Sequence, residues 1–379
     1  MGTPSATMLK GIVKSLSVGL LLAASSAPVR AESLSSVASF DFSGIDAFWE
    51  VLALLEMDKS PSAERWSILL DTPGYRALTK SEFDRSFFKE NFELAFMPSR
   101  EEDLAAALVG GKTAPYLDHY VQVKERREEL ERQVEHLKET IDIEEIIKRV
   151  RDYLPRQEEV PADAPVAFVI FANDGRGYDP IVIDLLASMT WDFEPYLAHE
   201  LHHWYRNRQL SFDPERLNSA DGELVWTLNQ IQAEGMADQL DKRSWIVDPT
   251  GRPSKSEDYV RRYRASLEAT PELLETLDSL LIRYGKAHES ERSALSKEIS
   301  ELVPMSGHPT GFYLADLILE QLGLEALRQD VGNPFAFIRS FNQAAEKAGR
   351  NEIALSPGAM KVLSEMEGAL PRPEEGNGH

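Results

Sequence analysis

The sequence predicts a mostly α protein with a small β element, an α+β chain in which one long helix packs against a short sheet. Three observations carry this. Apolar residues recur at helical spacing through most of the chain. Two compact β-rich runs, Val166 to Phe171 (VAFVIF) and Ile181 to Ile183, stand together in the middle. A polar, histidine-rich helix follows them directly, and helical periodicity then resumes to about residue 369.

The N-terminal part reads as helices. Asp46, Ala47, Phe48, Trp49, Val51, Leu52, Leu54 and Leu55 form an amphipathic pattern, which Ser60-Pro61 ends. Ser62 to Leu70 is a second helix, closed by Thr72-Pro73-Gly74. Residues 80–98 and 100–109 give two more helical segments, and Gly110-Gly111 punctuates. Residues 115–153 read as a long charged helix with opposite charges at i, i+4 spacing. Around the β runs, Asn173 to Gly177 turns like the tip of a hairpin, which predicts that the two runs pair. A helix over about 194–208 is predicted next, with Asp192 as N-cap and Pro195 in its first turn. Another covers 222–243, two helices fill 257–303, and Pro304 to Thr310 is a break. The predicted organisation is a signal segment at 1–31, a helical region at 32–160, a core at 161–320, helices at 321–369 and a disordered tail at 370–379.

Composition bounds the chemistry. The 379 residues contain no cysteine, so any metal must be held by His, Asp or Glu. The formal net charge is −22, which disfavours nucleic acid and anionic membrane surfaces as partners. Lys10 and Lys14 precede a short apolar run, Leu16 to Ala24, and Val29-Arg30-Ala31 fits a small-x-small cleavage site. The run is too short to span a bilayer. The expectation is a signal peptide and an exported protein, periplasmic or secreted, with no membrane-spanning segment after cleavage; an uncleaved anchor is the rival.

His199-Glu200-Leu201-His202-His203 is the segment richest in chemistry. As H-E-x-x-H on a helix it places His199 and His203 on one face, one turn apart, where both reach one Zn²⁺. Glu200 stands beside them, positioned to take a proton from water at the metal. His202 points elsewhere and reads as a packing or surface histidine. A hydrolytic zinc site needs a third protein ligand. Glu234, 31 positions after His203, fits if the helix from 222 packs beside the first. Asp238, one turn on, could then fix the tautomer of a ligating histidine, and Gly235 would permit close backbone approach. The rival reading of Glu234 and Asp238 is a solvated acidic face. Downstream, His308 and Tyr313 in Gly307-His308-Pro309-Thr310-Gly311-Phe312-Tyr313 are candidates to donate to a developing oxyanion. A helix cap with a buried tyrosine is the alternative.

HELHH followed by EGMAD resembles the gluzincin type of zinc metallopeptidase, with H-E-x-x-H and a downstream E-x-x-x-D. A nearer resemblance is to bacterial families described as zinc-dependent peptidases of unknown function, which share HELHH, an E-G-x-A-D segment and a later G-H-P-x-G-[FY]-Y segment. It covers about residues 160–320. The resemblance implies a zincin-like core, zinc on His199, His203 and Glu234, Glu200 as general base, and an edge strand at 166–171 that pairs with an extended peptide or protein substrate. The chain departs from those families in lacking a long thermolysin-like β domain and an N-A-M-E-N-type motif. Hydrolysis of another amide or ester, and a non-catalytic metal-binding module, remain the alternatives.

Overall fold

The structure is a computed structural model that describes residues 40–155, 164–217, 221–247 and 255–372. The predicted signal peptide and most of the predicted tail lie outside the described residues. The described chain is mostly helical and carries one four-stranded sheet. No helix among the described residues is long and apolar enough to cross a membrane.

The sheet has the order β1 (Phe40–Asp41), β2 (Val166–Val169), β4 (Ile181–Asp184), β3 (Gly175–Arg176). β2 runs parallel to both β1 and β4, with Val166 opposite Ile181, and only β3 is antiparallel to its neighbour. This corrects the hairpin expected for the two β-rich runs. They are parallel neighbours, and the turn residues between them run back along the outer side of β4 as β3. Burial explains the pattern. Every residue of β2 and β4 is buried, as parallel strands covered on both faces are. A hairpin of the same residues would leave one face to water.

Helices Ser43–Glu56 and Pro73–Ser81 cover one face, and the Tyr75 hydroxyl donates to the Ile170 carbonyl at 2.8 Å. Phe168 of β2 stacks on Phe42, with ring centroids 4.6 Å apart. Its ring also meets Phe193, the first residue of the histidine-bearing helix, at 6.0 Å. The N-terminal helices therefore share one apolar core with the rest. Two helical stretches divide further than periodicity suggests. The charged segment breaks into Ala114–Glu125, Arg127–Thr140 and Ile143–Arg151, the last capped by the Asp142 side chain. Residues 257–302 form three helices, with Pro271 opening the second.

Four helices carry the site: α1 (Phe193–Asn207), α2 (Gly222–Asp241), α3 (Glu257–Glu268) and α4 (His308–Gln321). α2 is buried along most of its length, between α1 on one side and α4 on the other. Arg206 of α1, wholly buried, donates to Asn229 Oδ1 at 2.7 Å and to Gln232 Oε1 at 2.5 Å, so the α1–α2 register is set by polar bonds as well as by packing.

Candidate metal centre and cleft

α1 does what its spacing predicts. His199 and His203 share a face, and their Nε2 atoms lie 3.0 Å apart. Glu234 reaches the same point from α2, with Oε2 at 3.4 Å from His199 Nε2 and 3.2 Å from His203 Nε2. Ligand atoms around a tetrahedral zinc with bonds of about 2.0–2.2 Å lie about 3.3–3.6 Å from one another, since a tetrahedron's edge is about 1.6 times its radius. The three atoms thus form a face of nearly that size. Glu234 Oε2 is buried and has no hydrogen-bond partner, although three imidazole nitrogens surround it. A buried carboxylate oxygen left this way is costly unless a cation takes it. The donor set, two imidazoles and a carboxylate, suits zinc.

A second, overlapping group exists. His199, Glu234, Asp238 and His308 each offer a ligand atom, all within 4.8 Å of one another. Asp238, however, already accepts from Lys242 Nζ at 2.5 Å, Tyr263 OH at 2.7 Å and His308 Nδ1 at 3.0 Å. With three donors already on its two oxygens, Asp238 orders the surroundings, while the ligand atoms of His199, His203 and Glu234 form the tighter triangle.

His308 arrives through an unusual junction. Met305 and Ser306 hold φ of 49° and 54°, and Gly307 holds 94°, so three consecutive left-handed residues deliver the first residue of α4 into the cleft. Left-handed backbone at non-glycine residues costs about 1–3 kcal/mol each and persists only where packing enforces it. The packing here is the α2–α4 crossing. Gly235 and Gly311 face each other, and a Cβ on either would fall inside the backbone of the other helix. Gly235 permits the close approach expected of it, but the backbone that approaches is α4.

The second sphere is only partly as expected. Asp238 lies 3.4 Å from His199 Nδ1, whereas Asp241 Oδ1 lies at 3.1 Å in hydrogen-bond geometry. Asp241 is thus the nearer partner of His199 Nδ1, and His199 Nε2 faces His203 and Glu234. Lys242, buried, bridges both aspartates. The charges follow from this crowding. Burial and Lys242 oppose protonation of His199, yet Asp241 and Glu234 carry its imidazole up to about 10. Burial would raise the Glu234 carboxyl, yet the imidazoles of His308 and His203 hold it well below the usual range. Glu200 is 6% exposed, and burial raises its carboxyl against the pull of His199 and His203. The centre thus gathers carboxylates and imidazoles around one point, with the buried Glu200 beside them.

His199, Glu200, His203, Glu234, Asp241, Lys242 and His308 line a cleft of about 810 Å³, together with Asn173 to Tyr178, Trp191, Tyr196, Trp226, Lys255 and Tyr259. Two expectations are corrected. Tyr313 does not reach the cleft; its hydroxyl accepts from Arg350 at 2.6 Å. Five residues past His308 on a helix is a rotation of about 140°, which turns it to the opposite side. Residues 166–171 are not an edge, because β2 lies between β1 and β4; the strand beside the cleft is β3. Gly175 lets β3 lie directly on α1, since a Cβ there would strike the Tyr196 hydroxyl and approach Glu200 Cδ to 3.0 Å. His202 is wholly buried and outside the cleft lining, and burial lowers its pKa well below the usual value. Asp241, Tyr196, Tyr259 and Lys255 were not singled out from sequence. Asp241 alone had a readable signal: with Glu234 and Asp238 it repeats at +4 and +7, one face of a helix.

Two facing histidines, a carboxylate from a neighbouring helix and a buried glutamate beside them form a site that could hold a metal ion, open to a cleft. The chain belongs to the family described as "Putative zinc dependent peptidase (DUF5700)", whose model matches residues 66–350. No curated protein and no solved structure matches the chain. The family description and the donor set agree on zinc as the cofactor.

Proposed function

We propose that the protein is a zinc metallopeptidase of the gluzincin type, with zinc on His199, His203 and Glu234 and Glu200 as general base. The observation that carries this is the triangle of ligand atoms, 3.0–3.4 Å on a side, beside a buried glutamate in an open cleft. A zinc ion held there would polarise a carbonyl and acidify water. Glu200 takes the proton of the attacking water and returns it to the leaving amine, and its raised pKa suits both transfers. His308 holds Nδ1 against Asp238, which fixes the ring and leaves Nε2 as its other polar atom. Burial opposes its charge, but Asp238 and Glu234 favour it, and in its charged form the ring would donate to a developing oxyanion. The outer side of β3 offers main-chain pairing to an extended substrate. Export to the periplasm or medium belongs to the same proposal and rests on Lys10 to Ala31 of the sequence.

The test is Glu200→Gln in protein reconstituted with zinc. The variant should keep one zinc per chain by elemental analysis and lose peptide cleavage, followed by mass spectrometry of a peptide library, by about 10²–10⁴-fold. Cleavage at the wild-type rate would refute the role of Glu200. Turnover of small amides or esters with every peptide left intact would favour a non-peptide hydrolase.

A further inference from the structure

Three lysine or arginine side chains line the cleft among the described residues: Arg176, Lys242 and Lys255. Two are committed. Arg176 makes paired bonds to Glu82 at 2.7 and 2.9 Å and a third to Asp174 at 2.6 Å. Lys242 is held by Asp238 and Asp241. Lys255 has no carboxylate partner among the described residues. Its ammonium sits over the Trp191 ring, 2.6 Å from the centroid, with the rings of Tyr196 and Tyr259 at 5.3 and 5.9 Å. Aromatic faces attract a cation weakly compared with a carboxylate, and they leave its hydrogen-bond donors unused. The same ammonium stands close enough to Glu200, Asp241 and Asp174 to feel their charge.

We propose that Lys255 is the carboxylate anchor of this cleft, and that the substrate is a peptide bearing a carboxylate close to the bond that is cut. The inference rests on the peptidase reading and deepens it. An aromatic cage orients the ammonium, Arg176 and Lys242 are held by carboxylates, and the rest of the charged lining is largely acidic. Of the lysine and arginine side chains described in the cleft, Lys255 is thus the one left to pair with an entering carboxylate, and a neutral or basic group there leaves that ammonium without a counter-ion. Burial, with Lys242 adding to it, lowers the lysine to about 7, so a bound carboxylate would also restore its charge. Two sources supply the chemistry: a free C-terminus, or an Asp or Glu side chain.

A set of four peptides on one parent sequence separates them: free C-terminus, amidated C-terminus, and amidated variants with Glu or Gln beside the cut bond. Cleavage is measured with zinc-loaded wild type, and binding by calorimetry on zinc-loaded Glu200→Gln. The expected result is a preference of about 10–100-fold for one or both carboxylate peptides over their neutral partners, the size of a charge-assisted hydrogen bond to a partly buried ion. Lys255→Met should abolish the preference in both measurements, and Lys255→Arg should retain it. Equal cleavage of all four by wild type overturns the anchor and leaves the peptidase reading standing. Lysine-dependent binding of carboxylate peptides without cleavage does the reverse. Lys255→Met that slows every peptide equally, with the ratio unchanged, overturns the anchor, as does absence of binding by all four.

Discussion

Asp241→Ala is the most direct probe of how the metal centre is held. The carboxylate accepts from His199 Nδ1 at 3.1 Å, and the two side chains are only 7% and 6% exposed. Water therefore cannot replace the bond fully once it is removed. The imidazole would then be free to rotate or to carry its proton on Nε2, the nitrogen that must stay bare for a metal. Losing such a partner weakens metal binding about 10–100-fold, or ~1.4–2.7 kcal/mol. Lys242 keeps Asp238 as its counter-ion at 2.5 Å, so the loss is not that of a newly orphaned buried lysine. Asp241→Asn, which can still present an oxygen to Nδ1, should lose less. The assay is zinc affinity by competition with a chromophoric chelator at neutral pH, with circular dichroism confirming that each variant is folded. A folded Asp241→Ala that binds zinc as tightly as wild type would refute the assignment. If only Asp238→Asn weakened binding, the more distant aspartate, 3.4 Å from Nδ1, would be the true partner.

Two further outcomes follow from packing and burial. Gly311→Ala should separate α2 from α4, because the new methyl group would overlap the Ile231 carbonyl and the Gly235 backbone. The expected cost is about 3 kcal/mol or more, the upper end for overpacking, read as a lowered Tm with zinc affinity reduced alongside; an unchanged Tm would contradict the crossing. Asp330 is 5% exposed and its Oδ2 has no partner, so burial pushes its carboxyl from 3.8 up to about 6. A folded pKa above the unfolded one favours the native state below pH ~4 and loses that benefit as pH rises through ~6. Asp330→Asn should therefore be more stable than wild type above that range by up to about 3 kcal/mol, with the difference vanishing near pH 4. Calorimetry at the two pH values checks it, and a gap independent of pH would rule it out.

What the sequence determined by itself is what depends on near neighbours. Helical periodicity gives the class of fold, and an i, i+4 pair on a helix faces one way whatever surrounds it. His199, Glu200 and His203 were therefore legible, and the closeness of Glu234 followed once a second helix was placed beside the first. Tertiary structure decided everything that rests on which surfaces meet. It made β2 and β4 parallel, because both strands are buried on two faces, and so moved the strand beside the cleft from 166–171 to β3. It turned Tyr313 to Arg350 while α4 brought His308 to Asp238. It gave His199 to Asp241 in preference to Asp238, a difference of 0.3 Å that no spacing rule resolves. Lys255 is the plainest case. In the sequence it is one lysine among many, and what sets it apart is that, among the described residues, Arg176 and Lys242 have carboxylate partners and it has none.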